Sequence, residues 1–123
     1  MTVAPSCPAL VIHDDDSFRR SLIAVLDQKH FTVTYMADGA DAVNALRERA
    51  FEVILLSLDL NRRRGLHSAE YLRDHRQSID GGVLLLADPN PELRTYTPLA
   101  DETLLKPVDP SYVADRARVY CRH

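Results

Sequence analysis

Three short stretches of this 123-residue chain hold side chains able to do chemistry. The first is His13, Asp14, Asp15 and Asp16, an imidazole followed by three carboxylates. The second is Ser57 with Asp59, followed by Arg62, Arg63 and Arg64. The third is Lys106 with Pro107. Carboxylates suit a hard cation such as magnesium. Lysine and arginine suit an anion, above all a phosphoryl group or a carboxylate. Ser57, His13 and Asp14 also supply the residue types of a Ser-His-Asp hydrolase. No glycines flank Ser57, however, so a nucleophile elbow is missing. A hydrogen-bonded polar cluster is the better reading. His13 and Asp14 are too few ligands for zinc.

The elements that must position these groups can be read from apolar patterning. Residues 9–12 form a brief apolar run of the kind buried on both faces of a sheet. Ser17 is the expected N-cap of a helix in which Phe18, Leu22, Val25 and Leu26 share a face, ending near residue 28. Residues 31–35 (FTVTY) are β-branched and aromatic, as strands are. Asp38 and Gly39 make a turn into a second helix, which carries Ala42, Val43 and Leu46 inward and ends near residue 49. Residues 53–56 predict the strongest buried strand, 61–65 a polar loop and 66–76 a third helix with Leu66, Ala69 and Leu72 inward. Residues 83–86 predict a fourth strand after the Gly81-Gly82 turn. Pro89, Pro91 and Pro98 leave room for about one helical turn before a short strand at 103–105. Asp109 and Pro110 then start a last helix, with Tyr112, Val113, Ala117 and Tyr120 on one stripe.

Strands and helices thus alternate along the chain with short connections and no internal repeat. That pattern implies a parallel sheet covered on both faces. In such sheets the working groups gather at the carboxyl ends of the strands. Those ends carry His13 through Asp16, Ser57 through Asp59, Ala87 with Asp88, and Lys106. Residues 1–8 read as a disordered lead-in and 9–123 as one domain. Apolar residues are 46% and charged residues 27% of the chain, and the net charge is -3. That balance offers no global attraction for nucleic acid or an anionic membrane. No apolar run nears the roughly 18 residues of a membrane span, and no charged leader precedes an apolar stretch. A cytoplasmic location is expected. Cys7 and Cys121 are neither a disulfide framework nor a metal motif and read as two free thiols. A disulfide between them stays open, because the fold would place both at the same end.

The order of motifs resembles the receiver domain of bacterial two-component signalling over nearly the whole chain. That family opens with an apolar strand ending in two acidic residues. Here ALVIHDD is followed by Arg19, Leu22 and Leu26 in the family's spacing, which sets His13 and Asp14 at the two acidic positions. VILLSLDL resembles the strand that ends in the phospho-accepting aspartate, and Gly65 lies eight residues after Ser57, as the family's glycine does after its aspartate. LADETLLKPVDP resembles the ending around the essential lysine, which places Lys106 and makes Pro107 a cis-proline candidate. The resemblance implies a three-layer, flavodoxin-like α/β sandwich with a five-stranded parallel sheet in the order 2-1-3-4-5. The stretch from Ala87 to Lys106 is shorter than the family's, so the fourth helix is expected to be short or degenerate. The face it shares with the fifth strand and fifth helix, used by many receivers for dimers or output, is expected to be remodelled.

Receivers hold magnesium with two acidic residues and the acceptor aspartate, pair a lysine with the phosphoryl oxygens, and add a Ser or Thr after the fourth strand. In this chain His13 replaces the first acid, Ser57 the acceptor and Ala87 the hydroxyl residue. Asp14 and Lys106 are kept, and Asp15 could add charge. Thr103 stands where many receivers have a switching Tyr or Phe. Histidine is a poor magnesium ligand, and a neutral serine brings the ion no anionic oxygen. The implied function is a pseudo-receiver that transmits signals through a protein partner or output domain without phosphorylation. It would have no catalytic residue or metal, weak or absent Mg2+ binding, and no contact with nucleic acid or membrane. Lys106 would pair with Asp14 or Asp15, or next with Asp59. Two other readings remain: a working receiver using Asp59 as acceptor, and a small-molecule or anion sensor using Lys106 and the arginine run. Arg62, Arg63 and Arg64 read as a solvated loop or as an anion or partner contact.

Overall fold

In the computed structural model, alternate residues of each central strand face opposite layers, and this parity organises the molecule. The structure describes residues 6–14 and 16–122, the side chain of Asp16 excepted. Five strands, β1 (Cys7–Ile12), β2 (Phe31–Met36), β3 (Val53–Leu58), β4 (Gly82–Ala87) and β5 (Glu102–Leu105), form one sheet in the order β2-β1-β3-β4-β5. All neighbours are parallel. The helices are α1 (Asp16–Gln28), α2 (Ala40–Glu48), α3 (Leu66–His75) and α4 (Pro110–Arg118). Ala9, Val11, Val53, Leu55, Leu84 and Leu86 point to the layer that holds Leu22 and Leu26 of α1 and Val113 and Ala117 of α4. Leu10, Ile12, Ile54, Leu56, Leu58 and Leu85 point to the layer of Ala42 and Leu46 from α2 and Ala69 and Leu72 from α3. Burial on both faces is why β3 reads as a continuous apolar run, and all six of its residues are buried.

The ends of the elements differ from expectation in physically simple ways. β1 begins at Cys7, so Cys7 and Pro8 of the expected lead-in are strand, and residues 1–5 lie outside the described residues. The strand extends because Cys7 N–H reaches His30 O at 3.0 Å and Pro8 O accepts Glu52 N–H at 2.9 Å. α1 begins at Asp16, so Ser17 is inside the first turn and not its N-cap. Tyr112 of α4 is exposed while Val113, Ala114 and Ala117 are buried, so the inward stripe of that helix is narrower than expected. Asp109 caps α4 by accepting Ser111 N–H at 2.7 Å, and Pro110 fills the first turn, as expected.

Between β4 and β5 the proline-rich segment makes two short 3-10 turns, Pro91–Thr95 and Thr97–Leu99, in place of a helix. Each turn buries one leucine, Leu93 and Leu99. Arg76, just past α3, holds this segment. Its guanidinium donates to Leu99 O at 2.9 Å, Ile79 O at 2.8 Å and Asp101 Oδ2 at 2.7 Å. Asp101 Oδ2 also accepts Val83 N–H at 2.8 Å, which ties the start of β5 to β4. One planar fork with several donors thus joins the loop before β4 to the end of the proline-rich segment.

Candidate functional site

The carboxyl ends of β1, β3, β4 and β5 meet at a polar cavity of about 310 Å³ lined by His13, Asp14, Ser57, Asp59, Asn61, Arg62, Arg64, Asp88 and Lys106. Ser57 is the fifth residue of β3 and shares the parity of Val53 and Leu55, so its side chain lies on the α1 and α4 side. Lys106 follows β5 directly, anchored by its own N–H to Ala87 O at 2.8 Å. Its Nζ donates to Ser57 Oγ at 2.5 Å. The Lys106–Pro107 peptide is cis, as the resemblance implied.

Gly65 ties the loop after β3 to the same position. Its φ is +85°, and a Cβ there would come within 2.2 Å of Ser57 O. Only glycine accepts both the left-handed conformation and that approach. The eight-residue spacing therefore has a physical cause: the backbone at residue 65 rests on the carbonyl of residue 57. Asp59 lies past the end of β3, where its carboxylate accepts Arg62 N–H at 3.1 Å and its backbone bridges Arg64. It is a turn-forming aspartate at the rim of the cavity, with 14% of its side chain exposed.

His13 is only 2% exposed and stacks on Phe18 with ring centroids 5.0 Å apart. Asp14 Oδ1 accepts Asp38 N–H at 3.4 Å. Asp15 lies outside the described residues. Ala87 is fully buried in the α2 and α3 layer and presents no polar side-chain atom. Among the described residues Lys106 makes no ion pair with Asp14 or Asp59; its side-chain partner is the Ser57 hydroxyl. This corrects the expected partners Asp14 and Asp59; Asp15, the other candidate, lies outside the described residues. Both carboxylates are engaged by backbone N–H groups elsewhere, and the hydroxyl lies nearer.

The arginine run divides. Arg62 and Arg64 line the cavity with Lys106, and Arg62 lies 3.9 Å from Asp59 Oδ2. Arg63, with φ +56°, turns to a neighbouring recess lined by Asp14, Asp38, Gly65, His67 and Glu70. Two cavity residues, Asp88 and Asn61, and two supporting ones, Asn90 and Asp38, escaped the sequence reading. Asp88 was noticed only as a strand end. Asn61 and Asn90 join the two loops above the sheet through a 2.9 Å hydrogen bond, which only their proximity reveals. Asp38, read as half of a turn, caps α3 from another loop. Its carboxylate accepts Ser68 N–H at 2.8 Å, Ser68 Oγ–H at 2.6 Å and His67 N–H at 3.1 Å.

A family model described as the response regulator receiver domain matches residues 9–118. The chain belongs to that family. Receiver domains are signalling modules, and the relatives agree with the architecture. Transcriptional regulatory protein SrrA of Staphylococcus aureus is 26% identical over 113 residues, which cover 92% of this chain and 47% of that protein. The chain therefore spans about half the length of such relatives. A response regulator receiver domain from Bermanella marisrubri is 25% identical with a TM-score of 0.75, covering 94% of this chain and 98% of its own. Chemotaxis response regulator CheY4 of Vibrio cholerae has a TM-score of 0.75 at 21% identity, over 94% of this chain and 98% of its own.

Receivers carry magnesium, and the donor set of this receiver domain fits that ion poorly. Hard cations want carboxylate and carbonyl oxygens. Position 13 offers an imidazole, and Ser57 Oγ already accepts a hydrogen bond from Lys106 Nζ. Among the described residues no three His, Cys, Asp or Glu side chains are grouped so as to hold a metal ion. The cavity instead mixes three carboxylates, Asp14, Asp59 and Asp88, with the cations Lys106, Arg62 and Arg64.

Proposed function

We propose that this receiver domain signals through protein contacts without accepting a phosphoryl group. The observation that carries the reading is the Lys106 Nζ to Ser57 Oγ hydrogen bond at 2.5 Å. In this arrangement the lysine that would meet a phosphoryl group is engaged by an uncharged hydroxyl, at the strand position against which Gly65 packs. A serine hydroxyl beside a protonated lysine is a poor nucleophile, because the neighbouring group donates a proton where a base would have to take one. The loss of a carboxylate at His13 and of a hydroxyl at Ala87 supports the same reading, as does the poor donor set for magnesium. The module would act on a protein partner or an output domain, in the cytoplasm.

The test is incubation of the chain with acetyl phosphate and magnesium, followed by intact-mass analysis. The expected result is an unchanged mass. A magnesium-dependent phosphoryl adduct on Asp59 or Ser57 would overturn the reading. A second reading, with Asp59 as acceptor, draws on its place in the same cavity as Asp14 and Asp88. That reading requires the Asp59 carboxylate to give up its bond to Arg62 N–H, and an Asp59→Asn variant separates it by removing any adduct.

A further inference from the structure

The two cysteines are joined. Cys7 and Cys121 form a disulfide across 114 positions, with Cα atoms 5.6 Å apart. This corrects the expectation of two free thiols: β1 starts at Cys7, and the turn after α4 delivers Cys121 beside it. The two sulfurs sit in unlike settings. Cys7 is 3% exposed in the α1 and α4 layer, on a strand paired with two neighbours. Cys121 is partly exposed and lies past α4, its N–H bonded to Arg118 O at 3.1 Å.

Noncovalent anchors hold α4 up to Tyr120. Its ring packs on Gly82, where an added Cβ would come within 2.4 Å of it, and its hydroxyl donates to Glu102 Oε1 at 2.9 Å. Arg116 makes two further bonds to Glu102. Beyond Tyr120 the tail is held by the disulfide and by exposed hydrogen bonds, Arg122 N–H to Glu52 Oε1 at 2.6 Å and its guanidinium to Asp80 O at 3.4 Å. The residues adjoining the two cysteines, Pro8 and Arg122, both bond to Glu52 and line a groove of about 460 Å³ shared with Arg47, Arg49, Phe51 and Asp80. This groove is at the amino ends of the strands, across the molecule from Lys106.

We propose that Cys7–Cys121 is a reversible redox site, opened by a dithiol reductant, whose reduction releases the tail beyond α4 and one wall of that groove. The reductant's thiolate attacks Cys121 Sγ, the more accessible sulfur. The Cys7–Cys121 bond breaks, and Cys7 leaves as a thiolate that takes up a proton. The reductant's second thiol then displaces Cys121 from the mixed disulfide. Two electrons and two protons pass to the protein, and the dithiol becomes a disulfide. The reverse exchange with a disulfide of the same class restores the bond. Disulfides in reducing compartments are typically transient and redox-sensing, which fits a site at the edge of a fold that its own core already holds. The inference takes its reducing, cytoplasmic setting from the proposed function but does not rest on the phosphorylation-independent reading, because the two sites share no residue.

The experiment equilibrates the full chain with reduced and oxidised dithiothreitol at varied ratios, quenches with acid, alkylates with N-ethylmaleimide and weighs the product. A single two-electron step is expected, from no adduct to two. Hydrogen exchange at short times on both forms should show amides of residues 121 and 122 exchanging roughly tenfold faster or more after reduction, while β1, β3 and β4 stay protected. Cys121→Ser should reproduce the reduced pattern, since it leaves Cys7 in the core. Two adducts at every ratio, or none at any, would overturn the proposal. So would equal exchange of the tail in both forms, or loss of protection in β1, β3 and β4 at short times.

Discussion

At residue 57 a hydroxyl meets a lysine, and the surrounding residues explain why one substitution would not restore phosphoryl chemistry. Ser57→Asp would return a carboxylate beside Lys106, but position 13 would remain an imidazole and position 87 an alanine without a polar side-chain atom. The single variant is expected to gain no mass with acetyl phosphate and magnesium. The combined His13→Asp, Ser57→Asp, Ala87→Ser variant is expected to form a magnesium-dependent adduct, which intact-mass analysis would detect. Gly65 is the other decisive residue. Alanine there would carry the left-handed penalty of about 1–2 kcal/mol and would also drive its Cβ against Ser57 O. Gly65→Ala should therefore lose more than about 2 kcal/mol in urea unfolding. A loss within experimental error would mean that residue 57 does not rest on residue 65.

Among the elements, α3 and α4 depend on caps and ties supplied from elsewhere. α3 has Gly65 at its N-terminus, with no side chain to cap it, and takes Asp38 from the β2–α2 loop instead. A carboxylate there also complements the helix dipole. Asp38→Ala is expected to cost about 1 kcal/mol, within the usual range for a lost N-cap, readable as a lower thermal midpoint. α4 is tied to β5 through Glu102. The Arg116 guanidinium holds the Glu102 carboxyl below its ordinary 4.5, against the opposing effect of burial and with help from the Tyr120 hydroxyl. Burial, then the bond to Glu102, pushes Tyr120 up to about 12. The signs differ. Glu102 stabilises fully above its unfolded value and loses that contribution as pH falls through its lower folded value. Tyr120 stabilises fully below its unfolded value of 10.0 and loses that contribution as pH rises toward about 12. Denaturant titrations should show stability falling between about pH 10 and 12, and Tyr120→Phe should flatten that alkaline limb.

For the whole molecule, a disulfide ties the first strand to the turn after the last helix. Joining positions separated by 114 residues restricts the unfolded chain, with effects typically of 2–4 kcal/mol. Reduction is expected to lower the unfolding free energy by about that much while leaving the sheet intact, measurable by urea unfolding with and without reductant. The sequence alone was enough to determine the α/β alternation, the strand order implied by the family resemblance and the positions His13, Ser57, Ala87 and Lys106. Each rests on local patterning or on spacing along the chain, because apolar runs and turn residues act over a few positions. The short connection before β5 was legible for the same reason, since three prolines between β4 and β5 leave room only for short turns. Tertiary structure decided the rest. It set Ser57 against Lys106, left Arg63 outside the cavity that Arg62 and Arg64 line, set Asp38 on α3, and joined Cys7 to Cys121. These are contacts between residues 24 or more positions apart, or the outcome of one loop's turn. Competing partners along the chain are chemically equivalent, and only packing brings one of them within bonding distance.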